Sequence, residues 1–175
     1  HFLYLRLHPR IIEVGLHGDG SLRDRHLWHL PPLAPQLYAL RMDAELDFAS
    51  ASEVERAIMQ QLEQSGTAAR LTRIEPREVE DEWITQIHRL SYLAMLKSHA
   101  PTNGRVSLDP DTSMSSGSLT AGYLAAGGAL AAVDAIMNGQ VDHVFCAVRP
   151  PGHHAEAGRS MGFCLFNNVA IAARY

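Results

Sequence analysis

The chain is 175 residues long, 46% apolar and 19% charged, with a formal net charge of −4; this composition fits one domain with a sizeable core. The slight acidity leaves no basic surface for gripping nucleic acid, and Lys97 is the only lysine among the 15 basic residues. The two cysteines, Cys146 and Cys164, are too few for a disulfide framework and fit a reducing, cytoplasmic setting as small core residues, while no apolar run approaches membrane-spanning length and no signal-peptide pattern is seen.

Residues 1–47 say least. Phe2–Leu5 and Ile11–Val14 fit strands, with His17-Gly18-Asp19-Gly20 as a turn. Asp19 or Asp24 with His26 and His29 would be a metal set, but the spacing fits no standard pattern, and loop histidines are the plainer reading. Pro31-Pro32 and Pro35 mark a loop or linker.

A helix is predicted over residues 52–65. Ser52 and Glu55 make a capping box, Val54, Ala57, Ile58 and Leu62 line one face, and Gly66 ends it. Leu71–Ile74 reads as a short strand. Residues 79–99 read as one or two helices with Trp83, Ile87, Leu90 and Ala94 on one stripe, and His88 and Tyr92 one turn apart as structural residues. Pro101 and Asn103-Gly104 break that pattern. Leu108-Asp109-Pro110-Asp111-Thr112 reads by itself as a solvated acidic turn with side-chain-to-backbone hydrogen bonds.

The clearest helix is 118–137, with Leu119, Tyr123, Ala126, Leu130, Val133 and Met137 at helical spacing and Asn138-Gly139 at its end. Gly127-Gly128 within it costs helix stability and predicts close packing on a sheet. The apolar run Val141–Val148 then reads as a buried strand. Strand after helix gives a βαβ rhythm, hence an α/β fold with a parallel sheet flanked by helices.

Arg149-Pro150-Pro151-Gly152-His153-His154 follows that run. The prolines stop a strand, and Gly152 permits a backbone conformation that other residues resist. Two imidazoles are thereby set beyond the carboxyl end of a strand, where parallel α/β sheets collect ligands and where proton transfer near neutral pH is chemically suited. A histidine pair alone is most often a surface turn or a pair satisfied by backbone. Its neighbours single this one out: Met161-Gly162-Phe163-Cys164-Leu165-Phe166-Asn167-Asn168-Val169-Ala170.

Together these two stretches closely resemble the signature of the histone deacetylase family, in particular its class II and bacterial deacetylase-like branch, which includes acetylpolyamine amidohydrolases. The resemblance covers roughly residues 50–175. His88-Arg89-Leu90-Ser91-Tyr92-Leu93 resembles the family's His-x-x-x-Tyr-Leu element. Of the family's His-Pro-Glu-x-Pro-Glu-Arg motif only Glu55-Arg56 survives.

The resemblance implies an arginase/deacetylase-like fold and a zinc-dependent deacylase. Its substrate would be an acetylated lysine of a peptide or protein, or an acetylated small amine, with no nucleic acid or membrane partner. It makes His154 the main general base and acid, and His153 its partner. Asp111 would hold the substrate backbone at the channel rim. Gly162 and Phe163 would line the acyl channel, Pro151 would shape its wall, and Cys164 would lie beside the site.

The family's metal ligands are an Asp-x-His loop and a further Asp, and these lie beyond the Asn-Asn helix. The chain begins on His1 and closes on Tyr175 inside a helical pattern, so it reads as a fragment: a poorly matched segment, 1–47, then the N-terminal part of a deacetylase-like domain, 48–175, truncated after the His-His loop. The resemblance therefore implies that zinc belongs to the parent protein and that this chain alone is inactive. Two rival readings are a non-catalytic, deacetylase-like binding module and a fragment that binds metal through His153, His154 and an N-terminal histidine.

Overall fold

The computed structural model describes residues 10–34, 39–42 and 51–175. Phe2–Leu5, Pro35 and the side chains of the Ser52–Glu55 cap lie outside the described residues. Two compact units, residues 1–71 and 72–175, divide the chain.

In the first unit, β1 (Ile11–Leu16) is the middle strand of a three-stranded sheet. It pairs antiparallel with β2 (Leu22–Asp24), Val14 opposite Asp24, and with β3 (Leu40–Met42), Ile11 opposite Met42. The predicted turn joins β1 to β2: the Gly20 amide donates to the His17 carbonyl at 2.9 Å, and Asp19 Oδ1 accepts from the Ser21 amide and hydroxyl. Buried Glu13 pairs with Arg25 at 2.8 Å, and His26, exposed in the turn after β2 as a loop histidine is expected to be, lies 3.0 Å from the same carboxylate oxygen. Helix α1 (Ala51–Gln64) follows, then a 3₁₀ turn at Ala68–Arg70. Leu71–Ile74 is irregular, with no ladder partner among the described residues.

The second unit carries α2 (Asp81–Thr85), α3 (Leu90–His99), a hairpin of β4 (Arg105–Ser107) and β5 (Ser113–Ser115), α4 (Ser118–Met137) and α5 (Asn168–Arg174). A break at 86–89 separates α2 from α3 and shifts the phase of the predicted stripe. Trp83 and Ile87 pack against the core as expected, but Leu90 and Ala94 are exposed, and Ile84, Tyr92, Leu93 and Leu96 are the buried residues. His88 lies in the break, not one turn from Tyr92 on a shared helix. The core joins these residues to Val79, Met114, Ala126, Leu130, Leu165, Phe166 and Ile171. Phe166 is fully buried, with Tyr123 edge-on at 5.4 Å, and a burial of that size stabilises by about 1.5–3 kcal/mol.

Helix α4 has the predicted bounds. It is long and apolar enough by length and composition to cross a membrane, a correction to the expectation that no run is. In this fold it is a packing helix. Its Gly122, Ala125, Ala126, Gly127 and Leu130 are buried, and the Tyr123 carbonyl accepts from the Val79 amide at 3.2 Å. Gly127 allows close approach, but to backbone rather than to a sheet: a Cβ there would fall on the Arg77 carbonyl oxygen. Met137 is exposed, so the apolar stripe stops short of the helix end.

The expected parallel sheet is not found among the described residues, whose ladders are all antiparallel. Val141–Val148 forms no strand, Phe145 is 83% exposed, and Cys146 is an exposed thiol rather than a core residue; Cys164 is buried as expected. A strand exists through its ladder partners, and this run has none here, so Phe145 and Cys146 face outward while Val141, Val144 and Val148 are only half-buried.

Candidate active site

The turn carrying the two histidines is built from both ends. Helix α5 begins at the asparagine pair. Asn167 Oδ1 accepts from the Ala170 amide at 3.1 Å, capping the helix, while its Nδ2 donates to the Ala155 carbonyl at 3.2 Å. Asn168 Nδ2 donates to the Pro150 carbonyl, also at 3.2 Å. One asparagine thus holds each end of Pro150–Ala155. Gly152 sits over the same helix start, where a Cβ would lie 2.5 Å from the Asn168 amide nitrogen. Its φ is not positive, so close approach rather than an unusual conformation requires glycine here.

His153 and His154 project from this turn, exposed, with ring centroids 4.2 Å apart and planes inclined at 51°. His154 lies against Gly162: a Cβ on Gly162 would come within 2.5 Å of its Cδ2 and 2.7 Å of its Cγ. Gly162 also has φ of 58°, and Phe163 has φ of 64°. Two consecutive left-handed residues reverse the chain and leave the Phe163 ring 66% exposed beside the histidines. Pro151 is half-buried at the start of the turn. Cys164 Sγ donates to the Gly162 carbonyl at 3.3 Å.

The acidic loop reaches the same place. Asp109 makes the predicted Asx-type turn, its Oδ1 accepting from the amides of Asp111 at 3.0 Å and Thr112 at 2.7 Å. Asp111, exposed, sends Oδ1 to the Gly162 amide at 3.0 Å. Buried Thr112 donates to Asp111 Oδ1 at 2.7 Å and accepts from the Phe163 amide at 3.1 Å. The strained Gly162-Phe163 turn therefore has both amides fixed from the β4–β5 loop. The structure brings Pro151, His153, His154, Gly162, Phe163 and Asp111 together around one exposed edge. A carboxylate, an aromatic face and two imidazoles there can hold amide N–H groups, pack an apolar chain and move protons.

Two supporting roles are not readable from the sequence alone, and a third residue, Tyr92, read there as structural, gains its partner only here. Thr112 looks like any loop threonine; its partner Phe163 is 51 positions away. The asparagine pair reads as a motif without a mechanism. Tyr92 donates to the Leu165 carbonyl at 2.7 Å, and burial pushes its hydroxyl pKa up to about 12, so it stays a neutral donor.

Zinc, which the sequence resemblance implies, does not find a site in these residues. Among the described residues no three His, Cys, Asp or Glu side chains are grouped to hold a metal ion, and the Glu156 carboxylate pairs with Arg159 at 3.1 Å.

A family model described as a histone deacetylase domain matches residues 50–175, a span that crosses the boundary between the two compact units. A histone deacetylase-like amidohydrolase of Pseudomonas aeruginosa is 36% identical over 124 residues, covering 71% of this chain and 32% of that protein. The polyamine deacetylase HDAC10 of Homo sapiens is 35% identical over 138 residues, covering 70% of this chain and 20% of that protein. Histone deacetylase 5 of Arabidopsis thaliana is 36% identical over 126 residues, 69% of this chain and 19% of that protein. Among solved structures, the HDA15 HD domain superposes with a TM-score of 0.63 at 33% identity, covering 68% of this chain and 33% of that one. The chain spans about a third or less of the length of these relatives.

Proposed function

Because the chain belongs to the histone deacetylase family, we propose that the protein containing it is a deacylase. Its substrate is the amide of an acetylated lysine in a peptide or protein, or of an acetylated small amine. The edge formed by the His153-His154 and Gly162-Phe163 turns is its reacting side. The observation that supports this reading best is the double anchoring of that edge, by the asparagine pair on one side and by Asp111 and Thr112 on the other. Rigid placement of an acid–base group is what amide hydrolysis requires, because misplacement by about 1 Å can cost about a hundredfold in rate.

In this reading His154 accepts the proton of the attacking water and returns one to the leaving amine. His153, 4.2 Å away between ring centroids, carries positive charge that favours the anionic transition state. Phe163 packs along the acyl-lysine stem, and Pro151 bounds the entrance. Asp111 Oδ1 is held by Gly162 and Thr112, so its second oxygen takes substrate amide N–H groups. Zinc dependence is part of the proposal. The metal's ligands would be the Asp-x-His loop and further Asp that the family resemblance implies, and the described residues group no such set. In the whole protein, Val141–Val148 would become a strand of a parallel sheet.

Hydrolysis of an acetyl-lysine peptide and of an acetylated polyamine by the whole protein tests this. The expected result is turnover that falls by about a hundredfold or more in His154→Ala. Undiminished turnover in the variant would remove His154 from its role. No hydrolysis of either substrate by the folded, zinc-bound protein would overturn the deacylase reading as stated, and absence of zinc binding as well would favour a non-catalytic binding module.

A further inference from the structure

The geometry points to His88 as a positioning residue for the histidine turn, acting through the backbone rather than on substrate. His88 is 2% exposed and lies in the α2–α3 break, far in sequence from the site. Its Nδ1 lies 2.8 Å from the Glu156 carbonyl oxygen, and its Nε2 lies 2.9 Å from the Asn167 amide nitrogen. A carbonyl can only accept and an amide N–H can only donate. The pair of contacts therefore fixes one form of the ring: neutral, with the proton on Nδ1.

One imidazole thus ties together the two ends of the segment Glu156–Asn167. Glu156 is two residues after His154. Asn167 holds Ala155 through its side chain and caps α5. Removing His88 frees both ends of this closure at once. The ring is enclosed by Phe166 at 5.9 Å and Tyr92 at 5.4 Å between centroids, so no water readily replaces it. The titratable groups nearby are otherwise engaged: Tyr92 donates to Leu165, and the Glu156 carboxylate pairs with Arg159.

This inference rests on the reading of the His-His edge as the reacting side, and its test separates the two. In the whole protein, His88→Leu is expected to lower kcat on an acetyl-lysine peptide by about tenfold or more, with KM near the parent value. His88→Gln, whose amide both donates and accepts, is expected to recover part of the loss. Hydrogen exchange is expected to accelerate in the peptide containing Asn167 in the leucine variant. Independently of any variant or activity, long-range nitrogen–proton spectra of the parent are expected to show the Nδ1–H tautomer at His88. An Nε2–H tautomer, unchanged exchange at Asn167, or His88→Leu turnover near the parent level would each overturn the inference. If the parent hydrolyses no acetyl amide, the deacylase reading fails while the exchange and tautomer measurements still decide the role of His88.

Discussion

The Thr112 hydroxyl accepts a hydrogen bond from the Phe163 amide at 3.1 Å, across 51 positions of sequence. The same hydroxyl donates to Asp111, which holds the Gly162 amide. One buried oxygen therefore links the acidic loop to the left-handed turn beside His154. Thr112→Val keeps the shape and removes both bonds. It is expected to destabilise the chain by about 1–2 kcal/mol in urea unfolding and to weaken turnover by the whole protein. Wild-type stability in this variant would show that the bond contributes nothing.

Gly162→Ala places a methyl group 2.5–2.8 Å from three His154 side-chain atoms at a φ of 58°. Clash and strain act together, and a loss of about 2 kcal/mol or more is expected. A crystal structure of the variant is expected to show His154 displaced. Unaltered stability would contradict the packing described.

The adjacent glycines of α4 make opposite predictions. A Cβ at Gly127 would collide with the backbone of Arg77, so Gly127→Ala is expected to cost about 3 kcal/mol. At Gly128 the nearest atoms, on Pro76 and Val148, are at 3.5 Å, an ordinary contact. Gly128→Ala is expected to be neutral or to stabilise by up to about 1 kcal/mol, since alanine favours a helix interior. Denaturation midpoints of the two variants check this, and equal effects would refute it.

The stability of the chain should fall in mild acid through His88. Burial pushes its pKa below the ordinary 6.5, against a smaller upward effect of the Glu156 carbonyl. The unfolded chain then binds the proton first. The contribution of His88 is fully present above pH 6.5 and is lost as pH drops from there through the lower, folded-state value. Protonation would also turn Nε2 from acceptor to donor against the Asn167 amide. Urea unfolding of the parent and His88→Gln at stepped pH checks this; an equally steep acid loss in the variant would assign the effect elsewhere.

Thiol labelling separates the two cysteines. Cys146 is exposed and Cys164 is buried, so a thiol reagent is expected to modify the first and spare the second in the 175-residue chain. In the whole protein, where Val141–Val148 is proposed to pair as a strand, Cys146 is expected to be protected as well. Rapid labelling there would argue against the strand.

Local pattern was enough for what local forces decide. Ser118–Met137 came out of helical spacing and the Asn138-Gly139 stop, because a 20-residue apolar helix carries its own periodicity. The Asp109 turn followed from an aspartate's reach to its own backbone. The histidine and glycine-phenylalanine stretches were legible as a signature and marked the candidate edge. The rest required the folded chain. The break at 86–89 put His88 between helices and moved the buried stripe, which no count of apolar positions shows. Val141–Val148 has a strand's composition, but a strand is decided by partners, and here it has none among the described residues. The clamps on the candidate edge, from Asn167, Asn168, His88, Asp111 and Thr112, are hydrogen bonds between groups far apart in sequence. Only the tertiary structure could assign them, because a polar side chain's role is set by which donor or acceptor burial brings within about 3 Å.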